Sequence, residues 1–313
     1  MQTPPPRNSG DTGNTLPAEP VELLTPDGTR LNALRYRPSG LAKARLIVAG
    51  ATGVPQRFYR AFAQFASGQG YDVLTLDYRG IGLSRPGPLR GYQMDYLDWA
   101  MEDLATAVDH FADENAPLFM VGHSFGGHAF GVLPNHHRVA RFYTFATGAG
   151  WHGWMPGAER LKVWVMWNLI GPLVTRWKGY LAWSLLGMGE DLPMGVYRDW
   201  KRWCSYPRYF FDDPKVGESM RTRFAQVNTP IVAANAVDDL WAPPASRDAF
   251  MAAYRMAPMQ SVTIDPQAHG LAAIGHMGYF RRDAEPLWRE VLRWFGEHQP
   301  TPSRSAPAAS AIT

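Results

Sequence analysis

The stretch "MVGHSFGGHAF", residues 120–130, decides how this chain is read. The apolar run "PLFMVG" leads into Gly122-His123-Ser124-Phe125-Gly126, a G-x-S-x-G set, and a short helical stretch follows. A turn from strand to helix at this point is too sharp for flanking side chains. Glycines fill those positions, and the serine is held in a strained conformation with its Oγ exposed. A helix opening just after Ser124 also favours negative charge developing there. The plain rival is a small-residue turn that packs helix against strand. A serine hydroxyl is a poor nucleophile without a base, so the catalytic reading demands a histidine and an orienting acid further along.

The chain supplies both, on a regular alternation of elements. Residues 21–25 and 30–37 read as an antiparallel hairpin around Pro26-Asp27-Gly28. Strands are predicted over 45–50, 72–77, 117–122, 141–147, 230–236 and 260–265. Between them fall helical stretches after Pro55 (Phe58, Phe62, Phe65), around 94–113 (Trp99, Leu104, Val108, Phe111), from about 244 and from about 283 to 297. Such alternation predicts an α/β fold, a mostly parallel twisted sheet with helices on both faces. After strand 230–236 stand Asp238 and Asp239 in "VDDLWAPP". After strand 260–265 stand His269 and His276 in "DPQAHGLAAIGHMGYFRR".

One other stretch competes. "RLIVAGATGV", residues 45–54, could open a dinucleotide-binding domain, with Asp77 at the end of the next strand holding a ribose. A full fingerprint would want a third glycine near position 56, where Gln56 stands, and a hairpin precedes the strand. Asp77 is then expected to brace the turn at Arg79-Gly80.

Composition sets the outer bounds. The chain has 313 residues, 46% of them hydrophobic and 19% charged, with a net charge of +3 and a single cysteine, Cys204. That is enough for one large domain or a core with an insertion. No basic run points to nucleic acid, no internal disulfide is available, and the expected location is cytoplasmic. Residues 1–20 read as a disordered leader and 300–313 as a disordered tail. The longest apolar run, 161–174, is interrupted by Lys162, Asn168 and Pro172, which argues against a membrane span. His123/His128 and His136/His137 lack metal-ligand spacing and partner acids, so no metal or other cofactor is expected.

Taken together, "ATGVPQRFYRAFA", "VLTLDYRGIGLSRP", "VGHSFGG", "DDLWAP" and "IGHMGYFRR" make the chain resemble the α/β-hydrolase superfamily. The nearest resemblance is to the serine aminopeptidase-like and monoglyceride-lipase-like bacterial hydrolases, over roughly residues 45–300. The resemblance implies Ser124 as nucleophile and His276 as general base. It implies Asp239 as the acid, because the family places it four residues before a proline, here Pro243. Asp238 is left to cap a loop or face solvent, His269 to a loop or pocket wall, and His123 to packing near the site. Backbone N–H donors for an oxyanion are expected from Phe125 and from the loop after the first parallel strand. Relatives carry His-Gly in that loop; here Ala49-Gly50 stands there, which makes Ala51 the expected second donor.

The core is expected over 21–150 and 227–299, with 151–226 inserted as a helical cap. Eight of the twelve tryptophans lie between Trp151 and Trp203, and the insertion carries 11 Lys/Arg against 7 Asp/Glu. His123, Trp164, Trp167, Tyr209 and Phe210, together with Trp177, Trp183 and Phe211, are the expected pocket residues; the aromatic ones serve equally well as the cap's own core. A cap resting on a membrane, through tryptophans beside Lys162, Arg176 and Lys178, stands behind both. The expected function is a serine hydrolase acting on a carboxylic ester, thioester or amide with an apolar acyl part. An acyltransferase would share every residue named, and a non-catalytic binding protein of the same fold is the remaining alternative. A small acyl compound is the expected partner, and the oligomeric state is not legible.

Overall fold

In the computed structural model, which describes residues 16–187 and 189–298, eight strands form one sheet. They are β1 (Glu19–Leu24), β2 (Arg30–Tyr36), β3 (Ala44–Ala49), β4 (Tyr71–Leu76), β5 (Leu118–His123), β6 (Val139–Phe145), β7 (Ile231–Ala236) and β8 (Met259–Ile264). Their spatial order is β1-β2-β4-β3-β5-β6-β7-β8. β1 and β2 pair antiparallel, β2 lies antiparallel to β4, and every later pairing is parallel. The chain runs outward from β3 in both directions, so the carboxyl ends of β3, β5, β7 and β8 gather along one rim. That rim is where an open α/β sheet leaves room for a ligand.

Helices cover both faces. They are α1 (Arg60–Gly68), α2 (Ala105–Phe111), α3 (Phe125–Phe130), α4 (Gly157–Val165), α5 (Gly171–Lys178), α6 (Met194–Trp203), α7 (Gly217–Ala225), α8 (Pro244–Met251) and α9 (Glu285–Gly296). α9 turns Leu287, Trp288, Val291, Leu292 and Phe295 inward, the spacing of one helical face, and packs with α1 over Val121, Tyr143 and Val232. The opposite face is closed by α2, α3 and the segment between β6 and β7. β4, β5 and β7 are buried along their whole length, as strands covered on both sides must be.

The expected strands hold with boundary shifts of up to two residues at their starts. The helix expected over 94–113 starts at Trp99 with a π turn (Trp99–Leu104) before α2. Of the expected leader, only Leu16 onward is described, and β1 already starts at Glu19 there; the expected tail lies outside the described residues. Contrary to expectation, Asp77 does not hold the turn at Arg79-Gly80 through its carboxylate but reaches to either side of it. Its carboxylate accepts the N–H groups of Gln56 (2.6 Å) and Leu83 (3.0 Å), tying the loop after β3 to the loop after β4. Arg79 is held elsewhere, by Asp103 at 2.7 Å and Asp27 at 2.6 Å. Among the described residues no helix is long and apolar enough to cross a membrane.

Candidate active site

Ser124 sits where β5 turns into α3, at φ 52° and ψ −105°, a strained conformation for a residue with a side chain. The glycines around it have steric reasons. A Cβ on Gly126 would overlap the Ala49 carbonyl oxygen of β3, and one on Gly122 would lie 2.8 Å from the Gly126 carbonyl carbon. The turn is braced from β6, where Thr144 Oγ1 donates to the Gly122 carbonyl (3.3 Å) and Thr147 Oγ1 to that of Ser124 (3.1 Å).

Residues separated by 152 and 37 positions converge on this serine. His276 Nε2 lies 3.1 Å from Ser124 Oγ, and His276 Nδ1 lies 3.0 and 3.1 Å from the two Asp239 oxygens. Asp239 is fully buried and well supplied with donors: the N–H groups of Trp241 (3.1 Å) and Ala242 (3.0 Å) and the Tyr279 hydroxyl (3.2 Å). Burial by itself would raise its carboxyl. The His276 ring and those N–H groups outweigh burial and hold it below the ordinary carboxylate value. Asp238 faces the other way and accepts the Ile274 N–H at 2.8 Å, anchoring the loop that carries His276. His269 lies apart, bound to the Asp265 carbonyl (3.0 Å) and Glu290 on α9 (3.2 Å).

Two residues that sequence reasoning left without a role organise the site. Tyr279, three positions after His276, accepts the Ala236 N–H at 2.8 Å and donates to Asp239, joining the end of β7 to the acid. Tyr59 accepts the Ala51 N–H at 2.7 Å and pairs with His123 Nδ1 at 3.0 Å. His123 Nε2 in turn faces the His276 carbonyl at 2.9 Å. Burial drives His123 down to about 3, so it is neutral. With a carbonyl facing Nε2, the proton is assigned to that nitrogen, and Nδ1 accepts from Tyr59. The signal for Tyr279 was present in "GHMGYF", but a tyrosine there reads as core until its hydroxyl is placed.

The Ala51 expectation is corrected by the same chain of bonds. Its N–H is engaged by a buried tyrosine, so it is not free for an oxyanion. The next N–H of the loop, that of Thr52, has no hydrogen-bond acceptor among the described residues, and neither does that of Phe125. Thr52 Oγ1 bonds the Tyr96 hydroxyl.

A cavity of about 630 Å³ opens beside Ser124 and His276, walled by Val54, Phe58, Trp183, Trp200, Trp241 and Met277. A second space of about 30 Å³ lies deeper, against Ser124, Ala146, Gly148, Val163, Trp167 and Cys204. The pocket expectations therefore divide. Trp167 lines the deeper space, whereas Trp164 is 45% exposed to solvent. His123 is buried behind the serine; Tyr209 and Phe210 belong to an interior aromatic cluster with His128, Phe224 and Phe250. Trp183 lines the larger cavity as expected, while Trp177 faces water and Phe211 joins the interior cluster. The remaining aromatic walls come from Trp200 of the inserted segment and Trp241 of the acid loop, which carry no local mark of exposure to a ligand.

The sequence matches the family described as serine aminopeptidase, S33 (Hydrolase_4), over residues 42–273, and the chain belongs to that family of hydrolases with the α/β-hydrolase fold. A soluble variant of monoglyceride lipase from Saccharomyces cerevisiae, with a substrate analogue, is similar at 17% identity. It has a TM-score of 0.64 over 96% of this chain and 100% of that one. An esterase of Pyrococcus furiosus is similar at 14% identity, with a TM-score of 0.57 over 90% of this chain and 92% of that one. The N-formylmaleamic acid deformylase of Pseudomonas putida S16 is similar at 15% identity, with a TM-score of 0.56 over 88% and 100%. At these identities the likeness is one of fold. No curated protein matches the sequence.

Proposed function

We propose that this chain is a cytoplasmic serine hydrolase that cleaves a carboxylic ester, thioester or amide with an apolar acyl part. The observation that carries the reading is the unbroken hydrogen-bonded line from Ser124 Oγ through His276 to Asp239, set on a strained strand-to-helix turn. Ser124 Oγ attacks the carbonyl carbon while its proton passes to His276 Nε2. Asp239, ionised because its carboxyl is held low, stabilises the imidazolium that forms. The oxyanion rests on the N–H groups of Phe125 and Thr52. Collapse of the tetrahedral adduct expels the alcohol, thiol or amine with the proton returned by His276. Water, activated by the same ring, then releases the acid.

The helices between β6 and β7 act as a cap in this reading, and the aromatic walls exclude water from the acyl chain. A fluorophosphonate probe tests the mechanism. The wild-type protein is expected to be labelled at Ser124 and to hydrolyse a panel of acyl esters. Ser124→Ala is expected to lose both, and unchanged turnover in that variant overturns the reading.

A further inference from the structure

The helical segment from α4 through a π turn (Met166–Ile170) to α5 is apolar on two sides. Its inner stripe, Val163, Trp167, Gly171 and Thr175, is buried, and Val163 and Trp167 reach the deeper space beside Ser124. Its outer stripe, Leu161, Trp164, Leu169, Leu173 and Trp177, stands in water at 45–69% exposure. A helix apolar all round is normally buried on all sides, and a contiguous apolar stripe of this size on a surface marks an interaction site.

The charges around the stripe say what covers it. From Trp151 to Trp183 the chain carries four Lys/Arg (Arg160, Lys162, Arg176, Lys178) and one acid, Glu159. Glu159 is already engaged by Lys162 at 3.2 Å and the Trp241 indole at 3.1 Å. Lys178 Nζ lies 4.0 Å from the centre of the Trp177 ring, a cation beside an aromatic on the outer face. Leu and Trp interleaved with Lys and Arg, without free acids, are the composition of a helix lying in the interface of an anionic bilayer. A second copy of this chain fits worse, because a symmetric pairing would bring the same four cations together.

We propose that the outer face of α4–α5 docks this protein on an anionic lipid surface. The inference is independent of the chemistry at Ser124. Docking there sets a helix that walls the space beside Ser124 directly on the lipid.

The test is co-sedimentation of the full chain with vesicles of phosphatidylglycerol and phosphatidylcholine, compared with phosphatidylcholine alone. The expected result is binding to the anionic vesicles that weakens as salt is raised. Lys162→Ala and Arg176→Ala are each expected to weaken it about five-fold, equivalent to about 1 kcal/mol per cation. Leu173→Ser/Trp177→Ser is expected to weaken it at least ten-fold with an unchanged melting temperature, since both side chains project into water. Protein left in the supernatant with anionic vesicles overturns the proposal. So does equal binding to phosphatidylcholine alone. A concentration-dependent dimer that the double variant abolishes, with no vesicle binding, also overturns it and assigns the face to a second copy.

Discussion

At the scale of single residues, the adjacent acids Asp238 and Asp239 show how little sequence separates two roles. Asp239 is fully buried and hydrogen-bonded to His276; Asp238 is partly exposed and holds the Ile274 N–H. The two substitutions are therefore expected to differ sharply. Asp239→Asn keeps the shape but removes the charge that supports the imidazolium and presents the wrong donor to Nδ1. It should lower kcat by about 10⁴-fold, the scale found when a triad acid is neutralised. Asp238→Asn keeps an acceptor for Ile274 and should leave kcat within about ten-fold. Parallel steady-state kinetics on one ester decide it, and equal losses would contradict the assignment of Asp239. Proximity in sequence told nothing here, because the backbone turn sends successive side chains in opposite directions.

At the scale of elements, the site is three loops joined by buried hydroxyl groups. The loop after β3 is tied through Ala51, Tyr59 and His123 to the loop after β8 that carries His276. Tyr59 immediately precedes α1, and its hydroxyl is the link between both loops. Tyr59→Phe leaves the Ala51 N–H and His123 Nδ1 without partners in a buried place, a cost of about 1–3 kcal/mol for each such group. The variant should melt lower and lose more in kcat than it gains in KM, because the freed loops carry the proposed oxyanion donor and base, while Trp183, Trp200 and Trp241 of the cavity wall lie on other segments. Labelling of Ser124 by the phosphonate should persist at a reduced rate. A variant that is destabilised yet keeps full kcat would reduce Tyr59 to a packing role.

At the scale of the whole molecule, burying neutral histidines makes the fold sensitive to acid. His123 is driven by burial to about 3 and His128 to about 4, against 6.5 for an unperturbed ring. At these two rings the unfolded chain therefore binds more protons than the folded one below about pH 6.5. Their contribution to stability is full above that value and is lost as pH falls toward the folded values, while Asp103, raised by burial to about 7, acts in the opposite direction. For His123 alone the loss by pH 4 is roughly 3 kcal/mol, at about 1.4 kcal/mol per pH interval. The low Asp239 carboxyl adds a loss in the same direction only below its unfolded value of 3.8. Urea midpoints between pH 7 and pH 4 check this. His123→Gln, which can still meet the Tyr59 hydroxyl and the His276 carbonyl, should flatten the decline.

The sequence by itself determined the parts whose signal is local. The elbow glycines lie within a few consecutive residues, where backbone geometry dictates residue type; each strand and helix shows its own short periodicity, and the acid and histidine stand in short segments that resemble the family's. Ser124, Asp239 and His276 were legible for that reason. The direction of the Ala51 N–H was not, because it depends on Tyr59, whose hydroxyl is oriented by His123 on another strand. The pocket walls were legible only in part, through Trp167 and Trp183. Trp167 and Trp164 differ by three positions, yet one is buried against the space beside Ser124 and the other faces water. An aromatic residue contributes the same apolar area wherever it sits, so only the packing of distant segments decides which ring meets core, ligand or solvent.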